Sequence, residues 1–150
     1  MRNFLIGVDG SETAMKAVRY VARLGRKYGP FGIHIVTVEP SVTGWRKLAA
    51  SSEAVEEHLR AEGWAKLAEA RDFLDEEDID YFAYVEFGDV AEQIVAAADR
   101  LECDHIVLGT RGSRLALART EQVADALRAL DHSVEVRRIR GAAPRDALLS

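Results

Sequence analysis

Two glycine-containing turns hold the residues of this sequence that are best suited to binding an anion. The first turn is Asp-Gly-Ser at residues 9–11, and the second begins at Gly109 and has the sequence Gly-Thr-Arg-Gly-Ser. Each follows an apolar run and precedes a helical pattern, so free backbone N–H groups at a helix start would point at a ligand. Gly109 and Gly112 let the backbone approach an anion, while Arg111 and Ser113 add donors. A tight strand-to-helix turn without a ligand has the same spacing, so the motif alone leaves both interpretations open.

The other chemically capable residues do not form a catalytic set. His34 falls in an apolar run and fits a packed histidine, while His58 lies among charged residues and fits a solvated one. Cys103 is the only cysteine and fits a small buried side chain. The pair at 104–105 (Asp-His) lacks a serine or cysteine in a nucleophile-like context, and the acidic run at 75–78 fits a solvated cluster. We therefore expect no enzymatic activity and no metal site.

The elements that must position the two turns follow from the hydrophobic periods, which alternate between strand-like and helix-like. This alternation predicts a mostly parallel sheet with right-handed crossovers, an α/β doubly wound fold of flavodoxin-like or Rossmann-like type. With the strand order 3-2-1-4-5, the first and fourth strands would flank the ligand crevice, and the two turns would face one another. The five strands are predicted at residues 3–8, 33–38, 79–85, 104–108 and 134–139.

Composition narrows the class of protein. A chain of 150 residues with 48% hydrophobic and 30% charged residues is typical of one soluble domain. No apolar run approaches the ~20 residues of a membrane span, and the first apolar run fits a strand better than a signal peptide. The net charge of -5 disfavours nucleic acid as a partner. A single cysteine suits the cytoplasm, where we expect the protein to reside.

The first 109 residues resemble the universal stress protein family. The matching pieces are the run Leu-Ile-Gly-Val-Asp-Gly-Ser-Glu at 5–12, the strand at 33–38, the Gly-Asp-Val-Ala-Glu-Gln-Ile at 88–94 and the Asp-His-Ile-Val-Leu-Gly-Thr at 104–110. The resemblance implies a five-stranded α/β fold, a tendency to dimerise and, in some members, ATP binding.

The same resemblance assigns roles to residues of the two turns and of the second strand. Asp9 would contact the nucleoside, Val38 would offer its backbone to adenine, and Gly109 and Gly112 would contact the phosphates. ATP-binding members carry a further Gly-Ser or Gly-Thr after nine intervening residues beyond the second of these glycines, where this chain has Gln-Val at 122–123. We therefore expect no cofactor and at most weak ATP binding, with a small anion or a nucleotide as the ligand of the turn.

From Leu108 onward, a second resemblance begins. Residues 109–124 look like the N-terminal strand and helix of porphobilinogen deaminase (hydroxymethylbilane synthase), and residues 133–140 look like its next strand. In that family the counterparts of Arg111 and Ser113 contact the carboxylates of a dipyrromethane cofactor. The cysteine that carries this cofactor and the catalytic aspartate have no counterpart here, so deaminase activity is not expected.

The two resemblances suggest a chain of mixed origin. Residues 1–110 carry a net charge of -8 and residues 111–150 one of +3, and no aromatic residue follows Phe87. We therefore predict an engineered chimera in one domain of residues 1–150, with a stress-protein segment (1–109), a deaminase segment (110–143, its resemblance starting near 108) and a flexible tail (141–150). Its expected role is that of a folding scaffold without catalysis; the alternative is an ATP-binding universal stress protein.

The fifth predicted strand bears on association. As the last strand of the order 3-2-1-4-5, residues 134–139 would form an open sheet edge, which invites pairing with a second copy. Charged residues along residues 133–140 oppose this pairing. We predict a weak homodimer through this strand, and neither nucleic-acid nor membrane partners.

Overall fold

Apolar runs form the strands, and the amphipathic stretches between them form the helices. A computed structural model describes residues 1–40, 52–109 and 114–129. In chain order the elements are β1 (Asn3–Gly7), α1 (Glu12–Tyr28), β2 (Gly32–Glu39), α2 (Ser52–Glu76), β3 (Phe82–Phe87), α3 (Val90–Arg100), β4 (His105–Leu108) and α4 (Arg114–Ala129).

The strands of the described residues form one parallel sheet in the order β3-β2-β1-β4. β1 lies at the centre, with Ile6 opposite Ile35 of β2 and Val107 of β4. The prediction of an α/β parallel sheet is confirmed, and so is the order of its first four strands. The described part of the sheet has four strands rather than the five predicted, because the proposed fifth strand (134–139) lies outside the described residues, as does the tail at 141–150.

Helices cover both faces of the sheet, as a doubly wound fold requires. Alternate side chains of β1 point to opposite faces. Phe4 and Ile6 pack in one core with α1 and α2, and Leu5 packs in the other with α3 and α4. The crossover helices therefore bury both faces of the central strands, which explains why β2 is buried along most of its length.

Side-chain caps fix the starts of α1 and α3. The Ser11 hydroxyl accepts a hydrogen bond from Ala14 N at 3.2 Å and begins α1, and the Asp89 carboxylate accepts one from Glu92 N at 3.1 Å and begins α3. Both caps agree with the sequence pattern. No helix in the described parts of the chain is both long and apolar enough to cross a membrane.

The third strand begins later than the predicted 79–85, and this correction has a local cause. Asp78 adopts a positive φ of 56°, and the N–H of Ile79 bonds to the carbonyl of Leu74 at 2.9 Å. This is the C-terminal closure of a helix, in which a left-handed residue is followed by an apolar one. Ile79 and Tyr81 pack against the first core from this closing turn, so the strand itself starts at Phe82.

Candidate functional site

The turns that follow β1 and β4 lie side by side. β1 pairs with β4 up to Gly7 opposite Leu108, so both strands end at the same edge of the sheet. Gly109 then packs on the first turn of α1: a Cβ built on it would lie 2.3 Å from Thr13 O and 2.8 Å from Ala14 N. Only a residue without a side chain allows this approach of two backbones. Arg111, Gly112 and Ser113, the other predicted residues of this turn, lie outside the described residues.

The carboxylate of Asp9 is held in place by the turn it begins. Its Oδ1 accepts hydrogen bonds from Ser11 N at 3.0 Å and from the Ser11 hydroxyl at 2.5 Å, around Gly10 at a φ of +84°. Partial burial alone would raise the pKa of Asp9, but the Ser11 hydrogen bonds and the charge of Lys66 outweigh it and hold the pKa below its ordinary value. Asp9 is therefore a fixed, ionised acceptor at the carboxyl end of β1.

The hydroxyl of Ser11 is fully engaged in structural hydrogen bonds. It donates to the Asp9 carboxylate and accepts from Ala14 N. A serine nucleophile needs a base that takes its proton, typically a histidine, and an open approach to a substrate. Ser11 instead caps α1, which is the structural role that its sequence position indicates.

The backbone of Val38 points to the β1 side of β2, at a level of the sheet where β1 has already ended. The last bond between β1 and β2 joins Val8 N to Val36 O at 2.8 Å, whereas the carbonyl of Glu39 accepts from Gly88 N on the β3 side. In a parallel strand, alternate residues direct their backbone groups to opposite neighbours. Val38 therefore directs its N–H and C=O to the same side as Val36, beyond the point where β1 bends into its turn.

Glu39 and Lys66 lie at the same edge of the sheet. Neither residue was predicted from the sequence to be part of the site. Glu39 ends β2 and is 1% exposed, and its Oε1 accepts a hydrogen bond from Lys66 Nζ at 2.7 Å. The spacing of the buried residues in α2 does indicate that Lys66 needs an acidic partner. Lys66 occupies an inward position in the same stripe as the buried residues Leu59, Gly63, Leu67, Ala70 and Leu74. A lysine in such a stripe needs a nearby acidic partner.

The other residues set aside from the sequence lie away from this edge. His34 is 9% exposed on β2 and its Nδ1 lies 3.0 Å from the Tyr84 hydroxyl, as expected for a packed histidine. Desolvation lowers the pKa of His34, which favours the neutral form of the ring. The described residues contain no group of three or more His, Cys, Asp or Glu side chains that could hold a metal ion.

Cys103 packs against the second core, and its reactivity gives a direct test of this packing. Burial, followed by the charge of Asp104, raises the pKa of the Cys103 thiol to about 11. At pH 8 the thiolate should be about 100-fold scarcer than in an exposed cysteine. We expect iodoacetamide to modify the native protein at least about tenfold more slowly than the urea-unfolded protein, as followed by mass spectrometry. Equal rates in the two states would contradict this packing.

Comparison with known proteins identifies the family. The family model described as the universal stress protein family matches residues 1–129. The chain belongs to the universal stress protein family.

Individual relatives agree with this assignment. Universal stress protein MJ0531 of Methanocaldococcus jannaschii is 26% identical over 113 residues, which are 74% of this chain and 65% of that relative. A universal stress protein family structure from Burkholderia pseudomallei superposes with a TM-score of 0.67 at 21% identity, over 84% of this chain and 89% of that one. One from Arabidopsis thaliana with AMP bound has a TM-score of 0.60 at 20% identity, over 83% and 87%. The two structures show the same fold.

The prediction of an engineered chimera is wrong. The universal stress protein match continues to residue 129, well past the supposed seam near residue 109, and nothing in the comparisons supports a deaminase segment. The resemblance beyond Leu108 has a physical explanation, because a strand, a glycine turn and a helix form a unit that many α/β families need. The expected role as an engineered folding scaffold is therefore wrong as well.

The departure from the ATP-binding pattern is visible in α4. Gln122 and Val123 lie inside this helix, which runs without interruption from Arg114 to Ala129, and Val123 is 5% exposed in the second core. Backbone N–H groups in a helix interior already bond to carbonyls four residues earlier. Residues 122–123 of this universal stress protein therefore offer no backbone donors to a ligand.

Proposed function

We propose that this universal stress protein binds an adenine nucleotide with a short phosphate chain, such as AMP, at the carboxyl edge of the sheet. The observation that supports this most is the contact of Gly109 with the first turn of α1, which brings the turns after β1 and β4 together. These strands flank the point where the strand order reverses, since β2 lies on one side of β1 and β4 on the other. Ligands of open α/β sheets bind at such a point.

The residues at this edge suit the parts of a nucleoside monophosphate. Asp9, as an ionised acceptor, suits the ribose hydroxyls, and the backbone groups of Val38 suit the edge of adenine. The turn at 109–113 would take the phosphate, with Arg111 supplying positive charge and Gly112 the close approach of the backbone. The Arabidopsis relative with AMP bound supports the same ligand class.

The length of the phosphate chain follows from α4. ATP-binding members use a second glycine turn for the distal phosphates, whereas this chain has helical residues at 122–123. A second and third phosphate would therefore remain in solvent without new hydrogen bonds. The proposal is a binding protein and not an enzyme, because the described residues at this edge include no serine or cysteine paired with a free base.

Calorimetric titration with AMP and ATP tests this proposal. We expect AMP to bind and ATP to bind no more than about threefold more tightly, because the extra phosphates gain no charge-assisted hydrogen bond. The substitution Gly112→Val should weaken AMP binding at least about tenfold, the equivalent of one lost charge-assisted bond.

Gly25→Ala, near the C-terminal end of α1, is the matched control and should leave the affinity unchanged. Failure of AMP to bind at millimolar concentration would contradict the proposed function. ATP binding that is tenfold or more tighter than AMP binding would contradict the preference for a short phosphate chain.

A further inference from the structure

Lys66 spans the distance between the β1 turn and the end of β2. A Cβ built on Gly10 would lie 3.4 Å from Lys66 Cγ and 3.6 Å from its Cα, so the base of the lysine side chain packs on this turn. Its ammonium then reaches Glu39 at 2.7 Å. One lysine of α2 therefore contacts two of the elements whose carboxyl ends form the proposed site.

The Glu39 carboxylate, which pairs with Lys66, is almost fully buried. The side chain of Glu39 is 2% exposed, whereas that of Lys66 is 39% exposed. Burying a carboxylate without a cation is costly, because the charge loses its hydration. Glu39 also directs its side chain to the α2 face, the same face as Ile33 and Ile35 of β2, so α2 must supply the partner. The partner it supplies is Lys66.

The Lys66 charge acts on Asp9 as well. Its positive charge contributes to holding the pKa of Asp9 low. Two carboxylates, Asp9 and Glu39, thus lie at the edge where a nucleotide phosphate would add further negative charge. Lys66 offsets part of this repulsion, whereas an uncharged nucleoside would not be affected by it.

We infer that Lys66 is a specificity-determining residue that compensates the Asp9 and Glu39 carboxylates and so lets the site accept phosphorylated nucleosides. This inference rests on the proposed function, because it concerns the same site. Lys66 acts through charge, so its effect must grow with the charge of the ligand. The affinity for adenosine, which carries no charge, should hardly depend on it.

Opposite substitutions of the pair separate this role from a structural one. Lys66→Met removes the cation and should weaken AMP binding by about tenfold, the effect of one unit charge on a dianion roughly 10 Å away in partly solvated protein. Glu39→Gln keeps the shape, leaves Lys66 unneutralised and should strengthen AMP binding by a similar factor. Adenosine binding should change by less than about twofold in both variants.

The experiment measures the dissociation constants of AMP and adenosine by calorimetry at low and at physiological salt. Lys66→Arg should retain the wild-type selectivity, and Glu39→Gln combined with Lys66→Met should return AMP binding to within about threefold of wild type. Lys27→Met is the matched control, because Lys27 lies in the last turn of α1, over the Tyr28 ring, and should not affect either ligand. Raising the salt concentration should shrink all the differences for AMP.

The outcomes separate the inference from the proposed function. If the wild-type protein binds neither AMP nor adenosine, the proposed function is wrong. The inferred role of Lys66 in ligand selectivity is then wrong as well. If the wild-type protein binds both ligands and the Glu39→Gln and Lys66→Met variants each lose AMP and adenosine alike, the pair is structural and the inference alone is overturned. Should Lys66→Met fail to fold, Glu39→Gln still decides, since only a charge effect strengthens AMP binding.

Discussion

The substitution Gly109→Ala is expected to destabilise the protein by about 3 kcal/mol or more. The added Cβ would lie 2.3 Å from Thr13 O and 2.6 Å from Thr13 C. These are backbone atoms of the first turn of α1, so no side chain can rotate away and the whole helix start must move. For a domain of this size the melting temperature should fall by about 6–12 °C. Thermal and urea unfolding, followed by circular dichroism, measure the loss.

For Gly25→Ala, at a glycine within α1, we expect the opposite change in stability. There the new Cβ would meet only Phe31 Cδ2 at 3.5 Å, an ordinary contact. Alanine also favours a helix interior over glycine, so this variant should gain up to about 1 kcal/mol. A loss below about 1 kcal/mol for Gly109→Ala would show that the turns after β1 and β4 are not packed as described, and would weaken the case for the nucleotide site.

Most of the fold can be predicted directly from the sequence. Apolar runs of five to seven residues separated by amphipathic stretches allow few arrangements once right-handed crossovers are required. Helix starts were predictable at Ser11 and Asp89, because their side chains cap helices through local hydrogen bonds. The start of β3 was not, because Ile79 has a strand-like side chain and is used to close α2.

The candidate site was predictable in part. The meeting of residues 9–11 with Gly109 follows from the strand order, since parallel strands that are neighbours end at the same edge. The pairing of Glu39 with Lys66 could not be derived in the same way, because it depends on how α2 rotates on the sheet and which of its residues reaches the end of β2. The inward position of Lys66 in α2 indicates that it needs an acidic partner, but no local pattern in the sequence identifies Glu39 as that partner.

The chimera hypothesis failed because it took a short second resemblance, together with changes in surface charge and aromatic content, as evidence of mixed origin. Net charge and aromatic content vary along a chain with little effect on the fold, provided that the buried positions keep their pattern. The pattern of α4 does continue that of the preceding elements, since Val123 packs into the second core with Ile94 of α3 and Ala124 is buried beside it in sequence. A change of composition near residue 110 is therefore compatible with one family over the matched length.

Leu67→Ala should cost about 2–5 kcal/mol, because Leu67 is 0% exposed in the first core and follows Lys66 directly in α2. The lost contacts would weaken the packing of α2 on β2. The ion pair between Lys66 and Glu39 would weaken as a result. The melting temperature should fall by about 10 °C in a thermal scan. Leu24→Ala, the same change at a half-buried position of α1, is the control and should cost about 1 kcal/mol. Similar losses in the two variants would show that α2 does not anchor the site through Leu67.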